Sequence, residues 1–306
     1  MIRKKAAAVC AALVLVISTG TAGTASAGSL AWWQTTVFAL GPSFNYVAEW
    51  MGPSAGWTEI GGPASNLYVG SAGVFATNPS SGDIYQWNGT TGSSGWTWIG
   101  GPGANFVQSG GHLYGLAPDS SYVAEYNGTP GSWTIIHGPS GGIFAGNFGL
   151  LAYDDGGQNI YLYNSSTGSW TLIGLPAVAS DARFAVNDTS IFVETLNGVD
   201  EQWTGSGTNW NLISSSGLDT GPALPFAGGT SLYGTGGVAT PSAGDIEKYT
   251  GTPGQWTVIG GPGQQFTLSR TALYGLGPVG AYVALYTPGV GWTEIGGSAA
   301  QIAADS

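Results

Sequence analysis

Between residues 62 and 101 the apolar positions fall into four short runs, each bounded by turn-forming residues. Asn66-Leu67-Tyr68-Val69 is followed by a Ser-Ala-Gly turn and Val74-Phe75-Ala76-Thr77. After Pro79-Ser80-Ser81-Gly82 come Ile84-Tyr85-Gln86-Trp87, an Asn88-Gly89 turn and Trp96-Thr97-Trp98-Ile99. Short β-prone runs separated in this way predict a meander of four antiparallel strands, 66–69, 74–77, 84–87 and 96–99. No stretch of the chain keeps a helical period over ten or more residues.

The fourth run recurs. Trp57-Thr-Glu-Ile60, Trp96-Thr-Trp-Ile99, Trp133-Thr-Ile-Ile136, Trp170-Thr-Leu-Ile173, Trp210-Asn-Leu-Ile213, Trp256-Thr-Val-Ile259 and Trp292-Thr-Glu-Ile295 are seven copies, spaced by 39, 37, 37, 40, 46 and 36 residues. The third run of every copy ends in an aromatic residue: Trp50, Trp87, Tyr126, Tyr163, Trp203, Tyr249 and Tyr286. Three residues before it stand Val47, Ile84, Val123, Ile160, Ile246 and Val283, with Asp200 as the exception. Strands apolar on both faces suit a sheet sandwiched between neighbours. A period near 40 with four strands per repeat predicts radially arranged blades.

The ends of the chain complete one another. Thr36-Val37-Phe38-Ala39-Leu40 matches a second strand without a first, and Ser298 to Ala304 matches a first strand without a second. Pairing them closes the ring and leaves no open edge. The expected fold is therefore all-β, a seven-bladed β-propeller of four-stranded antiparallel blades. The N- and C-terminal strands pair to close it into one domain over residues 28–306. Copies one, three and seven are closely alike around Leu40, Leu116 and Leu276, while copy five, Asp181 to Ile213, is the most diverged. Ser214 to Thr230, with Asp219, reads as the longest loop.

Residues 1–27 have the pattern of a secretory leader: Arg3, Lys4 and Lys5, an apolar run from Ala6 to Ile17, and Ala25-Ser26-Ala27 before the expected cut. That run is short for a membrane span. The only cysteine, Cys10, lies there too, so a processed chain has no disulfide. Residues 28–306 hold three basic residues, Arg183, Lys248 and Arg270, against 17 acids, so their net charge is 3 − 17 = −14. A chain this acidic argues against nucleic acid and anionic membrane surfaces as partners.

Catalytic and metal motifs are thin. Gly52-Pro-Ser54-Ala-Gly56 and Gly138-Pro-Ser140-Gly-Gly142 fit a nucleophile-elbow pattern but lie in turns, and His112 and His137 are the only histidines. Asp154 to Asn159 only loosely approximates a calcium loop. No catalytic residue, cofactor or metal is expected.

The Gly-Trp-Thr-Trp-Ile-Gly-Gly strand, with Ile84-Tyr85-Gln86-Trp87 before it, resembles the tectonin and tachylectin-2-like propeller lectins. The seven-bladed bacterial lectins of the Photorhabdus type are similar too, and Ile160-Tyr161-Leu162-Tyr163-Asn164…Trp170 looks like a kelch repeat without its double glycine. The lectin resemblance implies a secreted carbohydrate-binding protein with sites repeated between or within blades. The seven motif tryptophans themselves read as packing between blades, because core positions are the ones that recur.

Loops entering the first strand and loops joining the second strand to the third fall on one rim of such a ring. Small residues there permit close approach, and Asp, Asn, Ser and Tyr offer groups for sugar hydroxyls. The candidate carbohydrate-binding residues are Tyr46, Asp83, Asp119, Tyr122, Asn159, Asp245 and Tyr282, with Trp98 as an additional stacking platform. Blade five is expected not to bind. The expected partners are cell-surface or extracellular glycans held at several equivalent rim sites. An adaptor propeller docking another secreted protein is the alternative, followed by a glycan-cleaving enzyme with two facing carboxylates in the central channel.

Overall fold

The computed structural model describes residues 35–154, 156–157, 159–174, 183–195, 199–215, 226–236 and 244–305. The expected leader and Asp219 lie outside them. Seven four-stranded antiparallel sheets form the ring of a seven-bladed β-propeller. Blade I consists of Gln301–Ala303, Phe38–Leu40, Val47–Trp50 and Trp57–Gly61, so the C-terminal strand pairs with the N-terminal one, Ile302 opposite Ala39. Blade II is Asn66–Gly70, Gly73–Thr77, Asp83–Trp87 and Trp96–Pro102, and blade III is Asn105–Ser109, His112–Leu116, Val123–Tyr126 and Trp133–His137. Blades IV, V and VI span 142–172, 183–215 and 226–262. Blade VII is Gln265–Leu268, Leu273–Leu276, Val283–Thr287 and Gly291–Gly296.

The segment read as one loop from Ser214 to Thr230 is corrected by the structure: it contains Phe226–Gly228, the first strand of blade VI. Three residues, two of them Ala and Gly, are too short and too small to register as a β-prone run.

The core is divided into seven layers, one at each joint between blades. Phe75, Ile84 and Ile99 of blade II pack on Phe106 and Leu113 of blade III, and corresponding clusters fill the other six joints. Both faces of each sheet are thereby buried, which is why these strands are apolar on both sides. The break at Asp200 is explained by its row. Arg183 stands opposite Glu194, and Glu194 opposite Asp200, so charges of both signs share one end of blade V.

The tryptophan motif works across each joint. The indole N–H of Trp96 donates to the carbonyl of Ile60 at 3.0 Å, Trp133 to Ile99 at 2.9 Å and Trp170 to Ile136 at 2.8 Å. Trp210 donates to Ile173 at 3.1 Å and Trp292 to Ile259 at 2.9 Å. Each indole therefore bonds the isoleucine of the preceding motif. The glycine after that isoleucine leaves room for the ring, since a Cβ on Gly61 would lie 2.4 Å from Trp96 Nε1 and one on Gly100 2.7 Å from Trp133 Nε1.

At the innermost strands, amide side chains staple the closing blade. Gln265 donates to the Ile302 carbonyl and accepts from its N–H, and Gln301 does the same with Leu67, all at 2.8–3.0 Å. On one rim, the loop after the second strand accepts a bond from the loop that enters the next blade: Ala64 N–H to Phe44 C=O, Ser140 to Ser120 and Ala299 to Gly280. The two kinds of loop thus share one end of the ring. At the other end Arg270 bonds Asp188 at 3.3 Å and Asp305 at 3.1 Å, and Asn147 donates to Asp188 at 2.8 Å.

Candidate functional site

The rim that joins second to third strands carries two clefts with matching walls. The first, about 390 Å³, lies where blade II meets blade III. Gly101-Pro102-Gly103 forms one side, and Phe106, Gly115, Pro118, Tyr122, Ala124 and Trp133 form the rest. The second, about 250 Å³, lies where blade VI meets blade VII, with Gly261-Pro262-Gly263, Phe266, Gly275, Pro278, Tyr282, Ala284 and Trp292 in the same places.

One cross-strand row makes these clefts. In blade III, Phe106 stands opposite Gly115, Gly115 opposite Ala124 and Ala124 opposite Ile135. Blade VII repeats it with Phe266, Gly275, Ala284 and Glu294. A side chain on Gly115 would begin 2.9 Å from the Phe106 ring, and one on Gly275 2.9 Å from the Trp292 ring, so the aromatic walls demand glycine. The small alanine beside it leaves the recess open. The same row reads Leu67-Ala76-Tyr85-Trp98 in blade II, Ile143-Ala152-Tyr161-Leu172 in blade IV and Phe184-Val193-Glu201-Leu212 in blade V. There a tyrosine or glutamate occupies the place of the alanine.

Two of the sequence-derived candidates lie in the clefts. Tyr122 and Tyr282 line them and are each 38% exposed. Asp83 stands opposite Pro102 and Asp245 opposite Pro262 in the strand register, but Ile84 and Ile246 beside them pack into the joint with the next blade, so the two carboxylates take the other face of their strands and line neither cleft. Around the ring the first residue of this set reads Tyr46, Asp83, Tyr122, Asn159, Val199, Asp245 and Tyr282, and the clefts lie where an aspartate blade precedes a tyrosine blade. Asp119 sits beside the first cleft in the Pro118–Tyr122 loop. The Ser121 hydroxyl donates to its carboxylate at 2.6 Å and the Ser121 N–H at 3.1 Å, and these bonds hold its carboxyl below the usual range.

The remaining candidates lie elsewhere. Tyr46 has the matching place in blade I, where its ring covers Gly41 and the row behind it is Ile302-Ala39-Ala48. Asn159 is bonded to Asp154, its side-chain N–H donating at 2.6 Å. Trp98 is on the outermost strand of blade II, 44% exposed, with its ring against Gly131 of blade III. Phe106, Gly115, Ala124 and their blade VII counterparts were not singled out from the sequence. Their signal was there: Phe106, Gly115, Ala124 and Trp133 are nine residues apart, and Phe266, Gly275 and Ala284 repeat that step.

The other candidate chemistries are placed as follows. Ser140 is fully buried and its hydroxyl donates to the Gly142 and Tyr153 carbonyls. His112 bonds Glu125 at 2.6 Å, and His137 packs edge-on against Trp170. The central cavity, about 240 Å³, is walled by first strands, with Asp305 at its edge. That carboxylate and Asp188 both bond Arg270. Among the described residues no three His, Cys, Asp or Glu are grouped to hold a metal ion, and no helix is long and apolar enough to cross a membrane.

No family model and no curated protein matches the chain. Among solved structures it is similar to a catalytically inactive virginiamycin B lyase from Staphylococcus aureus with quinupristin, at 16% identity and TM-score 0.55, over 78% of this chain and 83% of that one. A streptogramin B lyase structure is similar at 16% identity and TM-score 0.51, over 76% and 82%. A functionally unknown protein from Desulfotomaculum acetoxidans is similar at 10% identity and TM-score 0.55, over 89% and 100%. At these identities the likeness is one of fold, and fold does not determine what a propeller does.

Proposed function

We propose that the protein is an exported carbohydrate-binding propeller whose sugar sites are the two rim clefts. The carrying observation is the repetition of one wall, Phe, Gly, Ala, Tyr and Trp behind Gly-Pro-Gly, at two separate joints of the ring. Aromatic faces stack on sugar C–H groups, and the Tyr122 and Tyr282 hydroxyls and glycine-rich backbone offer hydrogen bonds. Concave, mostly apolar clefts with a few placed polar groups suit small ligands. Blades III and VII stand three joints apart one way and four the other, so two sugar chains meet the ring on nearly opposite sides, and avidity adds to modest single-site affinity.

The test is a broad glycan array probed with the purified protein beside its Ala124→Tyr/Ala284→Tyr double variant. Tyrosine stands at this row position in blades II and IV, so the fold accommodates it. Binding by the parent and loss in the variant supports the reading; a blank array overturns it. A second reading, a protein-docking propeller, draws on the outer strands. Trp98, Ile135, Leu172, Leu212 and Val258 occupy one fourth-strand position in blades II to VI, all 43–63% exposed. A partner retained on the parent protein and lost on Ile135→Ser/Leu172→Ser would favour it.

A further inference from the structure

Both clefts open on the rim formed by loops that join second to third strands, and the same rim carries exposed apolar side chains outside the clefts. We infer that this rim docks face-on against the flat surface of an insoluble neutral polysaccharide, with Phe44 and Val279 as apolar contacts beside the clefts. The inference rests on the carbohydrate reading, because the clefts supply the sugar contacts.

Three of these loops are copies of one repeat, Gly41 to Tyr46, Ala117 to Tyr122 and Gly277 to Tyr282, so matching positions stand at matching heights on the rim. Phe44, Ser120 and Gly280 hold the same place and share a left-handed backbone, with φ of 58°, 61° and 71°. Glycine meets that demand without strain, yet blade I puts a phenylalanine there, 46% exposed. Val279 is left-handed too, at φ 52°, and is 94% exposed. A β-branched residue in this conformation is a genuine outlier, and strain of this kind clusters at ligand contacts. Packing does not account for either side chain, since neither belongs to the seven clusters that fill the joints.

Charge and shape define the partner. Asp119 and Asp154 lie in these loops and Asp83 and Asp245 open third strands, with no Lys, Arg or His in any of these segments. An acidic rim is repelled by uronic-acid polymers and by anionic lipid. A neutral polysaccharide lattice instead presents rows of pyranose C–H faces, which suit exposed Phe, Tyr and Val side chains. Blades III and VII lie nearly opposite on one rim, so a flat surface engages both clefts together, and the second contact is then intramolecular.

The experiment measures retention of the purified protein on particles of cellulose, chitin, insoluble β-1,3-glucan and mannan. Calorimetric titration with their soluble tetrasaccharides and cosedimentation with phosphatidylcholine vesicles run beside it. The expected result is retention on at least one polymer about a hundredfold tighter than binding of its tetramer. Ala124→Tyr alone should lower that retention about a hundredfold, to single-cleft affinity, rather than by half. Phe44→Gly/Val279→Gly should weaken retention about tenfold without changing tetramer affinity. It should also keep or raise the melting temperature, because glycine relieves both left-handed positions. Retention unaffected by Phe44→Gly/Val279→Gly, or merely halved by Ala124→Tyr, overturns the inference. Tetramer binding without retention on any polymer overturns it too and leaves the carbohydrate reading standing. No binding of polymers or tetramers overturns both. Vesicle binding that is lost in Phe44→Gly/Val279→Gly makes the face a lipid-docking one and likewise overturns the inference.

Discussion

The indole N–H of Trp57 donates to the carbonyl of Ile295 at 2.8 Å, across 238 residues of sequence. The same bond joins neighbouring blades elsewhere in the ring, where the partners are 33–37 residues apart. Ring closure therefore uses the ordinary joint between blades. Strand pairing of Phe38–Leu40 with Gln301–Ala303 and the Gln301 staple on Leu67 reinforce it. This places the longest-range contacts of the chain, and the entropy of closing its largest loop, in blade I and the joints on either side of it.

Gly296 should be intolerant of even one methyl group. A Cβ there would lie 2.4 Å from Trp57 Nε1, so Gly296→Ala must displace the indole and weaken its bond to Ile295. The expected loss is about 1–3 kcal/mol of stability, read from the urea midpoint. Gly297→Ala is the control, because nothing lies within 4 Å of the Cβ it would add. Equal behaviour of the two variants would contradict the joint described here.

Glu49 predicts a pH dependence of stability. It is 4% exposed, and burial pushes its carboxyl up from 4.5 to about 7. The folded chain then holds this proton more tightly than the unfolded chain. Its contribution to stability is greatest below pH 4.5, falls as pH rises from 4.5 to about 7, and is constant above that. Glu49→Gln should abolish this part of the slope and leave the protein about 1–3 kcal/mol more stable than the parent at pH 8. Denaturation series at pH 5 and pH 8 measure the difference directly.

Arg270 predicts the cost of opening the far end of the channel. It lies between Asp188 and Asp305, and Asp305 is 1% exposed. Arg270→Ala removes the cation that bonds this buried carboxylate and should cost about 3–5 kcal/mol. Asp305→Asn in the Arg270→Ala background should recover part of the loss, because the group left behind is then uncharged. Thermal unfolding of the single and double variants checks the order.

The joints were legible in the sequence because they recur. A tryptophan that bonds the previous isoleucine must appear once per blade, so Trp57 to Trp292 announced the ring and its seven copies before any coordinate. The paired ends were equally visible, since Thr36–Leu40 and Ser298–Ala304 each lack the strand that the other supplies. The clefts were less legible because they arise between blades and from small residues. Gly115 and Ala124 look like ordinary strand positions until Phe106 and Trp133 are seen to close around them. Reading each blade alone also grouped Asp83 with Asn159 as equivalent polar rim residues. In space neither lies in a cleft: Asp83 takes the face of its strand opposite to Ile84, which packs against blade III, and Asn159 is bonded within its own loop to Asp154. Trp98 drew attention for its size, yet it stands on the outer strand opposite the Tyr85 that fills the recess of its own blade, and its ring rests on Gly131.

The most direct test of the two-cleft account is the number of sugar molecules bound per chain, measured by titration calorimetry with an array-identified oligosaccharide. Two per chain for the parent, one for either Ala124→Tyr or Ala284→Tyr, and none for the double variant is the predicted result. A stoichiometry unchanged by these substitutions in a folded protein would contradict it and place the ligand elsewhere on the ring.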